Sequence, residues 1–243
     1  MRNKKKFNLL YNIVFFILVL ISIFSLTSCK GKPWDLYKAK KLSSKNDLAA
    51  LKEARNIYLK YANSDINAKE GLKAVDKYIG EYLYLNQNFN DAIPYLKESL
   101  NIDPNQYLVN YYLGVCYANL YSSEVVPTLK KEYKNLAIFH YKKAISLAPN
   151  QESPHYALGV FYYFALKDYD NAEIEIDNTL KINPKNVRAL FVKAQLQYLN
   201  GELQNCYNTY QSILQLLPKT DGRREQVLKN LERLKNEISS SGK

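Results

Sequence analysis

The sequence predicts an all-α protein, a solenoid of helical hairpins, from three observations. Gly and Pro are sparse, at 8 residues each in a chain of 243, which favours helices over a β-sandwich or a disordered linker protein. Four prolines recur at spacings of 45, 35 and 34 residues, at Pro104, Pro149, Pro184 and Pro218. An apolar residue followed by glycine recurs upstream of them, at Ile79-Gly80, Leu113-Gly114 and Leu158-Gly159. Self-similarity at a period of about 34 residues is typical of a repeat array, in which each unit stacks on its neighbours.

The recurring positions have steric roles. The glycines and the alanines that follow them are small because the two helices of a hairpin cross closely there. Proline lacks an N–H and begins the turn into the next helix. In the first unit the matching residues are Gly80, Leu83, Phe89, Ala92, Leu96, Ser99 and Pro104. This pattern resembles the tetratricopeptide repeat (TPR), a helix–turn–helix unit, and the resemblance implies a TPR helical-hairpin solenoid.

We predict four TPR units over residues 73–218. The second unit fits only with 11 extra residues between its helices, near 121–134. Pro127 suits the first turn of a helix, so we expect a second helix that is lengthened at its start and a hairpin tip that projects. This tip is either a tolerated surface loop or part of a binding face. The third unit has one extra residue, which we place in its turn, and the fourth is degenerate.

Two helical segments flank the four units. Residues 35–72 are predicted to form an N-terminal helical pair, either a divergent repeat or a cap. In residues 219–243, four apolar residues recur at i, i+4, i+7 and i+11, namely Val227, Leu231, Leu234 and Ile238. One apolar stripe with charges between its members suits a C-terminal capping helix that seals the array; a helix that docks on a partner is the alternative. We expect a disordered tail from Ser239.

The N-terminus has the arrangement of an export signal. Arg2 and three lysines precede an uncharged run from Phe7, and the segment closes with Leu26-Thr27-Ser28-Cys29. A basic region, an apolar region and small residues in this order form a signal peptide. Its end resembles the lipobox of bacterial lipoproteins. The resemblance implies that residues 1–28 are a lipoprotein signal peptide, that Cys29 receives a diacylglyceryl group, and that residues 29–34 are a short linker.

An uncleaved transmembrane anchor is the alternative, because the stretch from Phe7 to Ser28 is long enough to span a bilayer. Both interpretations place the rest of the chain outside the cytoplasm and tied to a membrane of the cell envelope. Lys30, rather than Asp, follows Cys29, which in well-studied diderm bacteria favours the outer membrane, on its periplasmic face or at the surface.

Positive charge is concentrated beside the predicted anchor. The formal net charge is +11, and residues 30–60 carry nine basic against three acidic residues. Such a cluster would attract anionic headgroups at about 1 kcal/mol per residue; a merely solvated helix face is the alternative. Nucleic acid is not an expected partner, since its binders spread positive charge along a phosphate-tracking face. The candidate membrane-surface residues are Lys30, Lys32, Lys38, Lys40, Lys41 and Lys45.

The resemblance to TPR proteins also implies where a peptide would bind. The first helix of each unit lines the inner wall of the array, which in this family is a peptide-binding groove. Tyrosine suits that role because it offers a large apolar face and a hydroxyl at low entropic cost. Several of these rings could instead belong to the core. The candidate groove residues are Tyr84, Tyr111, Val115, Asn119, Tyr156, Tyr163, Phe191, Gln195 and Tyr198.

Catalysis is not expected. His140 and His155 are the only histidines, and the chain lacks the short motifs of serine hydrolases, zinc proteases, redox dithiols and phosphate-binding loops. We predict no catalytic residue, metal site, cofactor or small-molecule substrate. Cys116 and Cys206 fall at small core positions of the repeats, so we expect buried free thiols.

These observations together predict a membrane-anchored scaffold or adaptor of the bacterial cell envelope that binds one or more envelope proteins through an aromatic TPR groove. In architecture the chain resembles TPR lipoproteins that assist outer-membrane protein assembly or pilus secretin assembly. The alternative is a surface-exposed lipoprotein that binds a host or environmental ligand.

Overall fold

The structure is a computed structural model, and it describes residues 31–45 and 47–241. The predicted signal peptide, the predicted lipid-attachment residue Cys29, and Lys30 lie outside the described residues. None of the helices that are described combines the length and the apolar character needed to cross a bilayer.

The described residues form helices joined by short connections and include no strand. Glu152–Val160 continues directly into a π-helical turn, Phe161–Leu166. The α-helices are α1 Lys32–Ser43, α2 Leu48–Tyr61, α3 Ile66–Leu85, α4 Phe89–Ile102, α5 Tyr107–Ser123, α6 Pro127–Leu147, α7 Glu152–Val160, α8 Tyr169–Ile182, α9 Val187–Leu199, α10 Leu203–Leu216 and α11 Arg223–Ser241.

The chain divides into two compact units, Met1–Tyr82 and Leu83–Lys243, with the division inside α3. In the first unit α1 and α2 pack as a hairpin. Its core includes Ala39 and Ala54, which are fully buried. Gly71 of α3 approaches the ring of Tyr58 so closely that a Cβ at this position would collide with it. This contact between a glycine and an aromatic ring is the kind of close helix crossing that the repeat pattern predicts.

The second unit contains the hairpins α5/α6, α7/α8 and α9/α10. A Cβ added to Gly114 of α5 would lie 2.6 Å from Cδ1 of Tyr141 on α6, and one added to Gly159 of α7 would lie 3.0 Å from Ile176 on α8. Because the interiors of proteins are close-packed, a Cβ on Gly114 has no room beside the Tyr141 ring, and one on Gly159 would require Ile176 to shift by a few tenths of an ångström. The predicted small positions are therefore the crossing points of the hairpins.

One residue in the left-handed conformation follows α3, the π-helical turn after α7, and α9. These residues are Gln87, Lys167 and Gly201, at φ 60°, 56° and 76°. In two cases the next amide donates to a carbonyl five residues back, whereas Asp168 donates to Tyr162, six residues back. The connection between Leu166 and Tyr169 has two residues, where its equivalents have three. The extra residue of the third unit therefore lies in the π-helical turn, and the prediction that it lies in the connecting turn is wrong.

The extra residues of the second unit extend both of its helices. Relative to α9 and α10, α5 continues four residues further and α6 begins seven residues earlier, at Pro127. At the tip, the Glu124 carboxylate accepts hydrogen bonds from the amides of Val125 and Val126, at 2.9 and 2.8 Å. The expected projecting hairpin is present, but its extension is shared with the first helix rather than confined to the second.

The last helix, α11, packs on α9 and α10. Val227 and Leu234 are fully buried in a cluster with Ala194, Cys206, Tyr210 and Ile213. The expected disorder is wrong for Ser239 to Ser241, because α11 continues to Ser241, and residues 242–243 lie outside the described ranges. The Ser239 hydroxyl donates to the Lys235 carbonyl at 2.8 Å, a local bond that occupies a carbonyl near the helix end.

Candidate functional site

An open pocket of about 330 Å³ lies in the second unit, between the first helices of successive hairpins. Its walls come from the end of α3, from α5, α6 and α7, from the π-helical turn, and from the start of α9. The residues that line it are Tyr84, Tyr111, Val115, Ala118, Asn119, Ser122, Tyr141, Glu152, Ser153, Tyr156, Ala157, Val160, Phe161, Phe164, Ala165, Asn186 and Arg188.

One side of the pocket is built from aromatic rings that hold one another in place. Tyr84 stacks on Tyr112, with ring centroids 4.7 Å apart, and Tyr111 lies 6.4 Å from Tyr141. Tyr141 is nearly inaccessible to solvent, and burial raises the pKa of its hydroxyl well above its usual range. Rings fixed in this way need little ordering when a ligand binds.

The opposite rim carries an apolar surface that solvent can reach. Phe164, in the π-helical turn, is 54% exposed. It meets Tyr163 edge to face, at 4.7 Å between ring centroids. An exposed phenylalanine in the wall of a concave site is a ready contact for an apolar side chain.

Two charged residues line the pocket, Arg188 and Glu152. The Arg188 guanidinium lies over the Tyr156 ring, 4.9 Å from the centroid. Arg188 is exposed, and no carboxylate among the described residues forms an ion pair with it. Burial raises the pKa of the Tyr156 hydroxyl, and Arg188 partly offsets that rise.

Asn186 fixes the start of α9 and thereby the position of Arg188. Its side-chain oxygen accepts a hydrogen bond from the Ala189 amide at 3.0 Å, which caps the helix. Its amide nitrogen donates to Glu152 at 3.3 Å, which joins α9 to the start of α7. The arginine is therefore presented from a capped helix end and not from a mobile loop.

Five of the nine candidate groove residues line this pocket. Tyr84, Tyr111, Val115, Asn119 and Tyr156 do so. The Asn119 amide nitrogen donates to the Val115 carbonyl within α5, at 2.8 Å. The predicted positions on α5 and at the start of α7 are therefore brought together.

The other four candidate groove residues lie outside this pocket. Tyr163 turns toward Tyr169 at the start of α8, with 5.4 Å between ring centroids. Phe191 and Tyr198 lie beside the capping helix, since Arg223 and Arg233 of α11 stand 6.0 and 4.8 Å from their ring centroids. Gln195 is on the same helix, one turn from each of these two rings, and is absent from the pocket lining as well. The three groove positions predicted on α9 therefore do not belong to the pocket, and two of them lie beside α11.

The prediction omits several residues of the pocket, above all Arg188 and Asn186. A signal for Arg188 was present in the sequence, because it lies one turn before the candidate Phe191 on the same predicted helix. No sequence signal marks Phe161 and Ala165, since their positions depend on the π-helical turn. Tyr141 belongs to a second helix and reaches the pocket through the space that Gly114 leaves.

Both histidines are held in structural contacts. His140 is buried, its Nδ1 lies 3.0 Å from the Asn110 side-chain oxygen, and burial lowers its pKa to about 4. His155 Nδ1 lies 2.7 Å from a Glu175 carboxylate oxygen. Within the described ranges no group of His, Cys, Asp and Glu is arranged to hold a metal ion.

The expectation of buried free thiols is confirmed for Cys116 and Cys206. Burial raises their pKa to about 12 and about 11 respectively. The Cys206 thiol also donates to the Ala194 carbonyl, at 3.1 Å. Thiols that remain protonated in this way are poor nucleophiles.

The five candidate membrane-surface lysines that the structure describes fall into two groups; Lys30 lies outside the described residues. Lys32 pairs with Asp65 and Lys38 pairs with Glu53, both at 2.6 Å. Lys40, Lys41 and Lys45 are exposed and form no ion pair with any residue that the structure describes. The uncompensated charge therefore lies toward the end of α1.

No protein-family model matches the chain, and no curated protein matches it at a significant level. Solved structures do resemble it. One is a crystal structure of MamA, with 21% identity and a TM-score of 0.55, which covers 69% of this chain and 89% of the MamA chain. A second is TTC0263, a thermophilic TPR protein of Thermus thermophilus, with 19% identity and a TM-score of 0.55, covering 83% of this chain and 99% of the other.

A third similar structure is a TPR protein from Parabacteroides merdae ATCC 43184, with 16% identity and a TM-score of 0.58, covering 84% of this chain and 74% of the other. At these identities the likeness shows the fold. The predicted fold class, an all-α solenoid of TPR-type helical hairpins, is thereby confirmed.

Proposed function

We propose that this protein is a membrane-anchored scaffold or adaptor for protein–protein interactions in the bacterial cell envelope. It binds a segment of a partner protein in the pocket between α5, α7 and the start of α9. The segment carries an apolar or aromatic side chain next to a carboxylate. Assembly of an envelope or outer-membrane complex is the role that we assign to this binding.

The observation that carries the proposal is Arg188, a cation without an ion-pair partner among the described residues, at the edge of an aromatic pocket. The apolar side chain of a partner would contact Phe164 and the ring of Tyr156, while its carboxylate would pair with the guanidinium. Aromatic anchors in pockets and arginine at their edges are common centres of binding energy in protein interfaces. The TPR-type fold adds support, since repeat arrays present extended binding surfaces.

The location in the envelope is supported by residues of the N-terminal sequence. The basic start, the uncharged run from Phe7 and the Leu26–Cys29 segment together favour export and lipid attachment at Cys29. Acylation with two or three chains would anchor the protein stably, because each buried CH₂ contributes about 0.8 kcal/mol.

Site-specific photocrosslinking of the full chain in intact cells tests the proposed binding. A photoreactive amino acid replaces Ser153, an exposed residue in the pocket wall, or in a second strain Ser146, an exposed residue of α6 outside the pocket. We expect a crosslinked partner from position 153 and none from position 146. Equal yields at the two positions would contradict binding in the pocket.

A matched pair of charge variants makes this test specific. Arg188→Gln should reduce the crosslink at position 153 at least about tenfold, since the loss of a charge-assisted contact costs about 1.5–3 kcal/mol. Lys185→Gln removes the same charge from an exposed residue outside the pocket and should leave the crosslink unchanged. If both variants change the crosslink yield equally, Arg188 does not bind a carboxylate of the partner. If position 153 captures no cell protein, protease treatment of intact cells then tests the alternative, a surface lipoprotein, which would be digested.

A further inference from the structure

The first helix exposes two aromatic rings in its first two turns. Trp34 is 51% and Tyr37 is 59% exposed, and their ring centroids lie 5.7 Å apart. The same helix buries Ala39 and Leu42. About half of the surface of each aromatic residue is therefore open to solvent.

Lysines accompany these rings around an open cavity of about 510 Å³ in the first unit. Lys41 and Lys45 line it, and neither forms an ion pair with a described residue. Lys38 also lines the cavity but pairs with Glu53 at 2.6 Å. Two uncompensated positive charges therefore lie next to two exposed rings, and we call Trp34, Tyr37, Lys41 and Lys45 the aromatic–lysine face.

One carboxylate opposes these charges, and it is already engaged. Asp35 belongs to the lining of the same cavity. Its Oδ2 accepts a hydrogen bond from the Tyr61 hydroxyl at 2.6 Å and contacts the Lys60 ammonium at 3.4 Å. Its negative charge is therefore balanced from α2, and the aromatic–lysine face keeps a net positive charge.

We propose that the aromatic–lysine face docks on the anionic phospholipid headgroups of the membrane to which the chain is anchored. Tryptophan and tyrosine favour the level of the headgroups, where the ring is partly buried and its polar atom stays wet. Lysine extends its ammonium group toward lipid phosphates. An acidic protein would satisfy the two lysines, but it would leave the pair of rings without their most suitable environment.

The order of residues along the chain supports a lipid surface as the occupant. Trp34 follows Lys30 by four residues and Phe7–Ser28 contains no charged side chain. Only residues 30–33 separate Cys29 from Trp34. Four extended residues span at most about 14 Å, so an anchor at Cys29 keeps α1 beside the headgroups. The inference does not depend on the partner pocket, but it does rest on the membrane anchoring in the proposed function.

Trp34 provides the test, because it is the only tryptophan of the chain. The full chain is reconstituted with vesicles of phosphatidylcholine, either alone or with about one third phosphatidylglycerol, a content that gives a negative surface potential. Flotation of the vesicles reports anchoring, and Trp34 fluorescence reports docking. In anionic vesicles we expect emission at shorter wavelength, quenching by lipids brominated near the headgroup, and protection from acrylamide. In neutral vesicles the chain should float but Trp34 should remain accessible to acrylamide.

Two double variants separate docking by this face from general charge attraction. Lys41→Gln/Lys45→Gln should lower the equilibrium constant for docking about thirtyfold. Lys52→Gln/Lys69→Gln removes two exposed lysines outside the cavity and should leave docking unchanged. Circular dichroism checks that each variant retains its helices.

The outcomes are separable. A chain that floats but whose Trp34 is equally accessible to acrylamide in both kinds of vesicle would overturn the docking and leave the anchoring intact. An equal decrease of the docking constant in both double variants would show that docking does not depend on the aromatic–lysine face. A chain that does not float with vesicles of either composition would contradict the anchoring itself, and with it the docking.

Discussion

The Gly114–Tyr141 pair links the packing of a repeat to its candidate binding site. The ring of Tyr141 occupies the space that a Cβ on Gly114 would need, and the same ring forms part of the pocket wall. Gly114, which allows α5 and α6 to cross closely, therefore also determines how deep the Tyr141 ring lies in the pocket wall. For this reason the fold and the site are coupled through single side chains.

A single residue, His140, also predicts how the stability of the protein depends on pH. Its pKa is lowered from 6.5 to about 4 by burial. Between these values the unfolded chain binds a proton that the folded chain does not, so stability falls as the pH falls. We expect a loss of about 2 kcal/mol between pH 7 and pH 4.5 that His140→Gln largely removes. Thermal unfolding of both chains at the two pH values measures the difference, and the same loss in both would contradict this assignment.

Among the elements, the hairpin connections carry a shared conformational requirement. Gln87, Lys167 and Gly201 all adopt positive φ, and only one of them is glycine. Left-handed backbone costs a residue with a Cβ about 1 kcal/mol. The connection at Lys167 is one residue shorter than the other two, and the π-helical turn before it contains the extra residue. The left-handed helix ending is therefore present at Lys167 as well, although the helix before it contains an insertion.

Lys167→Gly tests this requirement. Lys167 is exposed, so the substitution should raise the free energy of unfolding by about 0.5–1 kcal/mol, through relief of backbone strain. Gly201→Ala is the reverse control. A Cβ there would meet no atom within 4 Å, so the expected loss of about 1 kcal/mol is conformational. Thermal unfolding measures both, and a destabilising effect of Lys167→Gly would mean that its side chain makes a contact worth more than the strain.

For the whole molecule, the sequence predicts the hairpins better than it predicts the surface they form. Small residues and prolines mark where helices cross and end, because these restrictions act locally, and Gly114 and Pro127 stand where the pattern places them. Which rings face a common pocket depends on contacts between distant segments. Tyr198 is a groove position by register, yet it meets Arg233 of the last helix. Phe161 enters the pocket from a π-helical turn that periodicity does not reveal.

The proposed attachment of the whole molecule to a membrane leads to the last prediction. If Cys29 carries the anchor, Cys29→Ala should abolish incorporation of labelled palmitate, because its thiol is the proposed acceptor of the diacylglyceryl group. The segment before it would then stay uncleaved, since processing in the lipoprotein family follows lipidation. The variant should therefore be larger on a denaturing gel by the length of residues 1–28.

Cys116→Ser is the matched control, because that thiol is buried and should not be acylated. Labelling that persists in Cys29→Ala would favour the uncleaved transmembrane anchor together with acylation elsewhere. In that event the aromatic–lysine face would still begin next to the bilayer, because Trp34 follows the apolar run closely in either case.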